Sequence, residues 1–377
     1  MVSADFVRTG GMDWPNHALA SFLARRGDRV HVAGFSASGD LLVLPNVTYH
    51  PVGKPFDSYS LGNRLLRVRG RKLAQEVAAR GGRVLVNGGN CDWGDINWIH
   101  HVNARDRPPP SGRLLRRLKA ALDHRIYVRE ERAVIPKADV LLVSSEHTRD
   151  TLLEELPALS RKSTHVVYPG IDALLFRPGS PDERAETRER FGWRLDRPKV
   201  CFVGALGNRR KGFDTLFTAW ELLCARSDWD ADLVVVGGGA ELPFWRRRAS
   251  EAGLAARFQF LGPRRDVHHI LRSSDAHVLP SRYEGYSMVT QEAICCGLPA
   301  FVSERAGIAA RFPRTLNELL LPDPDDAAEL AARLYRWREG LGREWPALAS
   351  FSDELRRYGW DDMAERIARI IDRGRSG

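Results

Sequence analysis

The chain is 377 residues long, 43% hydrophobic and 28% charged, the make-up of a globular protein with room for two domains of ordinary size. No stretch approaches the roughly eighteen uninterrupted apolar residues of a membrane span, and the opening MVSADFVRTGG lacks the basic-then-apolar pattern of a secretion signal. A cytoplasmic, non-spanning protein is expected.

The five cysteines (Cys91, Cys201, Cys224, Cys295 and Cys296) are odd in number and lack C-x-x-C spacing, which speaks against a disulfide framework or a zinc site. They read as reduced, buried thiols. The formal charge is +9. Through residue 175 there are 25 Lys and Arg against 18 Asp and Glu, a surplus of +7 that leaves +2 for the remainder. Two stretches carry much of it, Asn63 to Lys72 (NRLLRVRGRK) and Gly112 to Lys119 (GRLLRRLK), where leucines alternate with arginines as on an amphipathic basic helix. These are solvated helix faces or, if the acceptor or partner is anionic, a peripheral contact with the inner membrane face. No zinc finger, aromatic RNA-binding motif or helix-turn-helix signature accompanies them, so nucleic acid is not an expected partner.

In chain order, hydrophobic periodicity gives short β runs followed by longer helical ones. MVSADF reads as the end of a first strand before the turn Thr9-Gly10-Gly11, a strand that is stubby or a chain that begins late. Further strands are expected at Arg29 to Ala33, Arg83 to Val86, Ile96 to His101, Val140 to Ser144 and His165 to Tyr168. A second series follows at Lys199 to Val203, Asp232 to Val236, Phe258 to Leu261, Ala276 to Leu279 and Pro299 to Ser303. Pro108 to Pro110 reads as a loop. The charged run Pro178 to Pro198 separates the two series and is expected to be the linker. The domains are then 1–177 and 199–355, with a terminal helix over 356–377 packing back toward the first domain. Alternation of this kind gives α/β architecture, two Rossmann-like domains facing a central cleft with their ligands beyond the carboxyl ends of the strands.

The informative stretch is PSRYEGYSMVTQEAICCGLP, Pro280 to Pro299. A strand ends at Pro280, a loop holds Glu284 and Gly285, and a helix from about Ser287 stops at Gly297. Backbone N–H groups and the positive helix end at Gly285, Tyr286, Ser287 and Met288 suit a diphosphate. Glu284 and Glu292 are eight residues apart, about 12 Å along a helix, roughly the span from a hexose to the ribose of a nucleotide sugar. Carboxylates accept hydrogen bonds from paired hydroxyls, so Glu292 suits a ribose diol and Glu284 a sugar. That separation fits neither the 5–5.5 Å nor the 6.5–9.5 Å, both approximate, of glycosidase carboxylate pairs.

This stretch resembles the E-x7-E signature of retaining glycosyltransferases of the GT-B fold, particularly glycosyltransferase family 4 (glycosyl transferases group 1). The resemblance is strong from about residue 165 to 305. Val203-Gly204, then Arg209-Arg210-Lys211-Gly212-Phe213-Asp214, looks like the family's strand, loop and K-G-x-D helix start, an anion site for a leaving diphosphate. Many family members have arginine directly after that glycine; here it is Ala205, and either Arg209 or Arg210 supplies the guanidinium. Val235 to Gly239 and Phe260 to Arg265 resemble the family's V-G-x-G and F-x-G loops, which makes Arg264 and Arg265 neighbours of the base. In the N-terminal half the resemblance implies a glycine turn, matched by Gly10-Gly11, and a histidine at the cleft. His100 and His101 are adjacent, and alternation lets only one of them face it.

What the resemblance implies is retention of anomeric configuration from a UDP- or GDP-sugar to an acceptor hydroxyl. The nucleotide sugar is a substrate, and neither a cofactor nor a metal is expected. A sugar phosphorylase, a nucleotide-sugar epimerase and a non-catalytic anion- or nucleotide-binding protein are the alternatives. A dehydrogenase would need G-x-G-x-x-G after a strand, which neither Gly10-Gly11 nor Gly237 to Leu242 completes.

Overall fold

The computed structural model describes residues 1–107, 114–207 and 209–373, so the Pro108 to Pro110 loop and the start of the Gly112 to Lys119 basic stretch lie outside the described residues. The chain divides into two compact units. The first comprises Met1–Arg105, Leu115–Gly170 and the stretch from Tyr358; the second comprises Asp106–Leu114 and Ile171–Arg357.

Unit 1 contains β1 (Asp5–Phe6), β2 (Val30–Gly34), β3 (Ser36–Ala37), β4 (Val47–Pro51), β5 (Leu85–Asn87), β6 (Ile96–Ile99), β7 (Val140–Val143) and β8 (Ser163–Val166). All of their pairings are parallel: β2 with β4, β1 with β3, and β5-β6-β7-β8 in sequence order. Val2 bridges Ala33 on one side and Val86 on the other, so the opening residues lie between β2 and β5 as a short first strand. β7 (VLLV) and β6 (INWI) are buried along nearly their whole length, as expected of parallel strands covered on both faces. β4 is not among the strands expected from the sequence, since VTYHP is short, carries two polar residues and ends in a proline.

Two helices cover one core of this unit. Asp13–Arg25 packs against Trp360–Arg373, where the four-residue spacing of Met363, Ile367 and Ile371 puts them on one face against Leu19, Ile96, Trp98 and Leu142. Trp14 stacks on Trp360 with ring centroids 5.2 Å apart, and Arg25 forks onto Asp361 at 2.5 and 3.2 Å.

Unit 2 holds a six-stranded parallel sheet built from β9 (Lys199–Val203), β10 (Asp232–Val236), β11 (Phe258–Gly262), β12 (Ala276–Leu279), β13 (Ala300–Ser303) and β14 (Leu320–Leu321), in the order β11-β10-β9-β12-β13-β14. The order reverses between β9 and β12, and the loops leaving those two strands are the ones that carry the conspicuous motifs. The run 178–198, expected as a linker, is part of this unit. Residues Pro181–Arg190 form a helix opened by a capping box between Ser180 and Glu183, and Arg184 and Arg188 pair with Asp275 at 2.8 and 2.7 Å. No described helix is long and apolar enough to cross a membrane. All five cysteines are free; four are buried and Cys224 is half-buried.

Candidate active site

In unit 2 the chain leaves β9 at Gly204, and residues Arg209–Lys211 form one tight turn before the helix Phe213–Cys224. Between turn and helix stands Gly212, with φ of +69°, where a Cβ would lie 1.8 Å from the Pro280 carbonyl oxygen. Only glycine lets the turn press against the end of β12 in this way. Gly212→Ala should therefore destabilise the protein by more than about 3 kcal/mol, read as a lower denaturation midpoint in urea. A midpoint within error of the parent's would show that the turn is not held there.

That close approach brings the two motifs together. Arg210 donates to Glu284 Oε1 at 2.6 Å and to the Tyr283 carbonyl at 3.2 Å, and the Lys211 ammonium pairs with the same carboxylate oxygen. The Glu284 side chain is only 10% exposed, so two cations converge on one nearly buried carboxylate. Burial draws the Lys211 pKa below the usual lysine value, with Glu284 pulling the other way. Arg209 turns elsewhere, its guanidinium 3.9 Å from Asp214. Arg210 thus stands with Lys211 on Glu284, and Arg209 does not.

Glu284 is not on the helix. It forms a parallel bridge with Ala306, and the helix Met288–Cys295 begins four residues later. The 12 Å helical separation from Glu292 therefore does not apply, and the contrast with glycosidase spacing loses its basis. The junction is instead built on Ser287, a buried residue with φ of +87°, an unusual conformation for a side chain other than glycine. Its hydroxyl lies 2.8 Å from that of Thr290. The N–H groups of Ser287 and Met288 have no acceptor among the described residues, as the first amides of a helix do not. Tyr286 is buried, donates to Gln291 and accepts from Arg311 at 2.9 Å, so its hydroxyl is committed to the protein. Gly285 is buried beside it. Glu292 lies half-buried one turn into the helix; its carbonyl accepts from the Cys296 N–H at 3.0 Å, its carboxylate has no partner among the described residues, and burial raises its pKa to about 7.

Beyond β11, Arg264 forks onto Asp266 at 2.8 and 2.7 Å and lies over the Phe191 ring. Its guanidinium is occupied. Arg265 beside it is exposed and has no partner among the described residues.

In unit 1 the turn at Gly10, with φ of +84°, and Gly11 is exposed and leads into the helix Asp13–Arg25. β6 stops at Ile99, shorter than expected, which leaves both histidines just past its end. His100 is 9% exposed and packs against Trp98 with ring centroids 4.4 Å apart; burial pulls its pKa down to about 3, so it is neutral. His101 is the half-buried, accessible one. Among the described residues no group of three His, Cys, Asp or Glu side chains could hold a metal ion.

Three residues escaped the sequence reading. Arg282 accepts no role in the E-x7-E spacing, yet it forks onto Asp214 at 2.8 and 3.0 Å and also donates to the Arg209 carbonyl, tying the cationic turn to the Glu284 loop. Buried Glu131 receives the Asn103 backbone N–H at 2.9 Å and its side-chain amide at 2.5 Å, fixing the segment that follows His101. Asp13 has its pKa raised to about 7 by burial and by nearby Asp5. Only Asp13 had a signal, as the first acid after the glycine turn.

Two family models match the chain: one described as Glycosyltransferase Family 4 over residues 9–173, the other as Glycosyl transferases group 1 over residues 183–340. The D-inositol 3-phosphate glycosyltransferase of Xylanimonas cellulosilytica is 29% identical, covering 94% of this chain and 89% of that protein. For the protein of the same name from Frankia alni, also 29% identical, the match covers 70% of this chain and only 62% of the relative. Among solved structures, sucrose-phosphate synthase from Thermosynechococcus elongatus superposes with a TM-score of 0.77 at 19% identity, covering 99% of this chain and 95% of that one. HepE from Anabaena in complex with UDP and glucose superposes at 0.66 and 18% identity, covering 99% of each chain.

Proposed function

The chain belongs to the glycosyltransferases of family 4 and group 1, with the GT-B fold, and from that premise we propose that it is a retaining enzyme moving a sugar from a nucleotide-diphosphate donor, UDP- or GDP-linked, to an acceptor hydroxyl. The observation that carries the reading is the convergence of Arg210 and Lys211 on Glu284 beside the unengaged amides of Ser287 and Met288. Two cations and a helix N-terminus suit the charge that builds on a departing diphosphate. Glu284 holds those cations in place and offers its carboxylate to donor hydroxyls, while unpaired Glu292 accepts from the ribose diol. The departing phosphate oxygen takes the acceptor proton, so catalysis rests on charge stabilisation and positioning. His101, as the accessible histidine, is assigned to the donor sugar, with Gly10 and Gly11 admitting it close to the main chain. Arg265 and the backbone of Arg264 flank the base. Gly204, Gly285 and Tyr286 contribute main chain, since the Tyr286 hydroxyl is engaged. No cofactor or metal is assigned a step.

A melting titration with UDP, GDP, ADP and dTDP, with and without EDTA, tests this. One nucleotide should raise the midpoint, and EDTA should leave the shift unchanged. Indifference to all four would sink the donor assignment; a shift abolished by EDTA would sink the metal-free mechanism.

A further inference from the structure

The helices Tyr59–Ala78 and Leu114–Val134 lie side by side in unit 1: Ser60 donates to Asp123 at 2.9 Å, and Arg67 pairs with Glu130 at 2.9 Å. The first helix buries Gly62, Leu66, Gly70 and Leu73 on its inner face, the usual apolar stripe. Its solvent-facing side should be polar, yet beside the buried face it carries a second apolar stripe at the same spacing. Leu61, Leu65 and Val68 are all exposed, Val68 by 70%, with Arg64, Arg71 and Lys72 beside them. The second helix repeats the pattern: Leu118 and Leu122, 58% and 59% exposed, share one outward row with Arg125 and Arg129. The Ser60–Asp123 contact sets the two helices alongside one another, and both rows occupy exposed positions of that pair.

Charge is sorted as strictly as hydropathy. The acids of the second helix turn inward: Asp123 to Ser60, Glu130 to Arg67, Glu131 to Asn103. On the first helix the sole acid is Glu76, near its far end. The outward rows from Leu61 to Lys72 and from Leu118 to Arg129 thus mix leucine, valine and basic residues. A third feature stands just ahead of the first helix. Phe56 is 96% exposed and adopts φ of +53°, as does Asp57, so a bulky aromatic is held out in water on a strained turn that Lys54 braces through Asp57 at 2.8 Å. Strain kept at a fully exposed phenylalanine is a reason to look for something that covers it.

We propose that this face docks on an anionic phospholipid surface. Basic side chains among protruding aliphatic ones, with an aromatic at the edge, match a bilayer interface, where cations meet phosphate and apolar groups enter between headgroups. A nucleic acid or acidic polysaccharide matches the cations but leaves Val68, Leu118 and Phe56 in water. The inference is independent of the donor chemistry, and it makes a lipid-borne acceptor the expected substrate class.

The test is flotation of the full chain with vesicles of phosphatidylcholine, alone or mixed with phosphatidylglycerol, at low and high salt. The protein should float only with the anionic vesicles and be released by salt. Leu118→Ser/Leu122→Ser and Phe56→Ser should each lower the partition coefficient about tenfold, while Arg64→Gln/Arg125→Gln should remove most of the salt-sensitive part. All three variants alter exposed side chains, and their melting and nucleotide response should match the parent's. No flotation with anionic vesicles at low salt would overturn the proposal. So would apolar variants that float as well as the parent, or heparin or RNA binding that survives in them, since the face would then be a general polyanion site.

Discussion

Replacing Lys211 by alanine should lower turnover by about 10²–10³-fold, the loss typical when one preorganised charge is taken from a developing anion. The fold itself should survive. Arg210 remains on Glu284 at 2.6 Å, so the nearly buried carboxylate keeps a cationic partner and is not left as an isolated charge. The diagnostic pattern is a fall in kcat with little change in the acceptor KM, because an interaction made mainly in the transition state is the one removed. Arg209→Ala provides the contrast: its guanidinium is directed to Asp214, and the rate should change little. A Lys211→Ala enzyme with normal turnover, or an Arg209→Ala enzyme as slow as it, would refute the assignment of the diphosphate to this turn.

The second large effect concerns Glu292. Burial raises its pKa to about 7, so in the nucleotide-free protein the carboxyl gains its charge only near neutrality. Since the folded value lies above the unfolded one, the sign is fixed: its contribution to stability is full below about pH 4.5 and is lost as pH rises through about 7. Nucleotide binding works in the opposite sense. The ionised form is the better acceptor for two ribose hydroxyls, so affinity should be about tenfold higher at pH 8 than at pH 6, with a proton released on binding in the lower range. Glu292→Gln should lose both the pH dependence and roughly 10- to 100-fold in affinity, the worth of hydrogen bonds to a charged group. Calorimetric titrations in two buffers at each pH measure both quantities. An unchanged pH profile in the variant would mean that another group is titrating.

The donor half was legible because its motif specifies the backbone as well as the chemistry. Gly285, the helix after Ser287 and the stop at Gly297 follow from residue types that tolerate few other conformations, and Lys211-Gly212 marks a helix start. What was not legible depended on direction rather than identity. Arg209 and Arg210 are indistinguishable in sequence, and only the turn pressed against Pro280 decides which guanidinium meets Glu284. The same holds for His100 and His101, where the end of β6 at Ile99 and the Trp98 ring determine which side chain is buried. The 12 Å estimate failed for a related reason: a spacing of eight residues implies a distance only if all eight are helical. Residues acting through contacts remote in sequence, Arg282 with Asp214 and Glu131 with Asn103, leave no local pattern to read.

The packing of the helix Trp360–Arg373 into unit 1 also sets an order of events during synthesis. Met363, Ile367 and Ile371 share a core with Leu19 and Trp98, yet the whole of residues 171–357 is translated between them. At typical elongation rates the roughly 200 residues from 170 to 371 take about 10–40 s to emerge. For that interval Leu19 and Trp98 wait with one wall of their core absent, while unit 2, all of whose parts have been translated by residue 357, can close first.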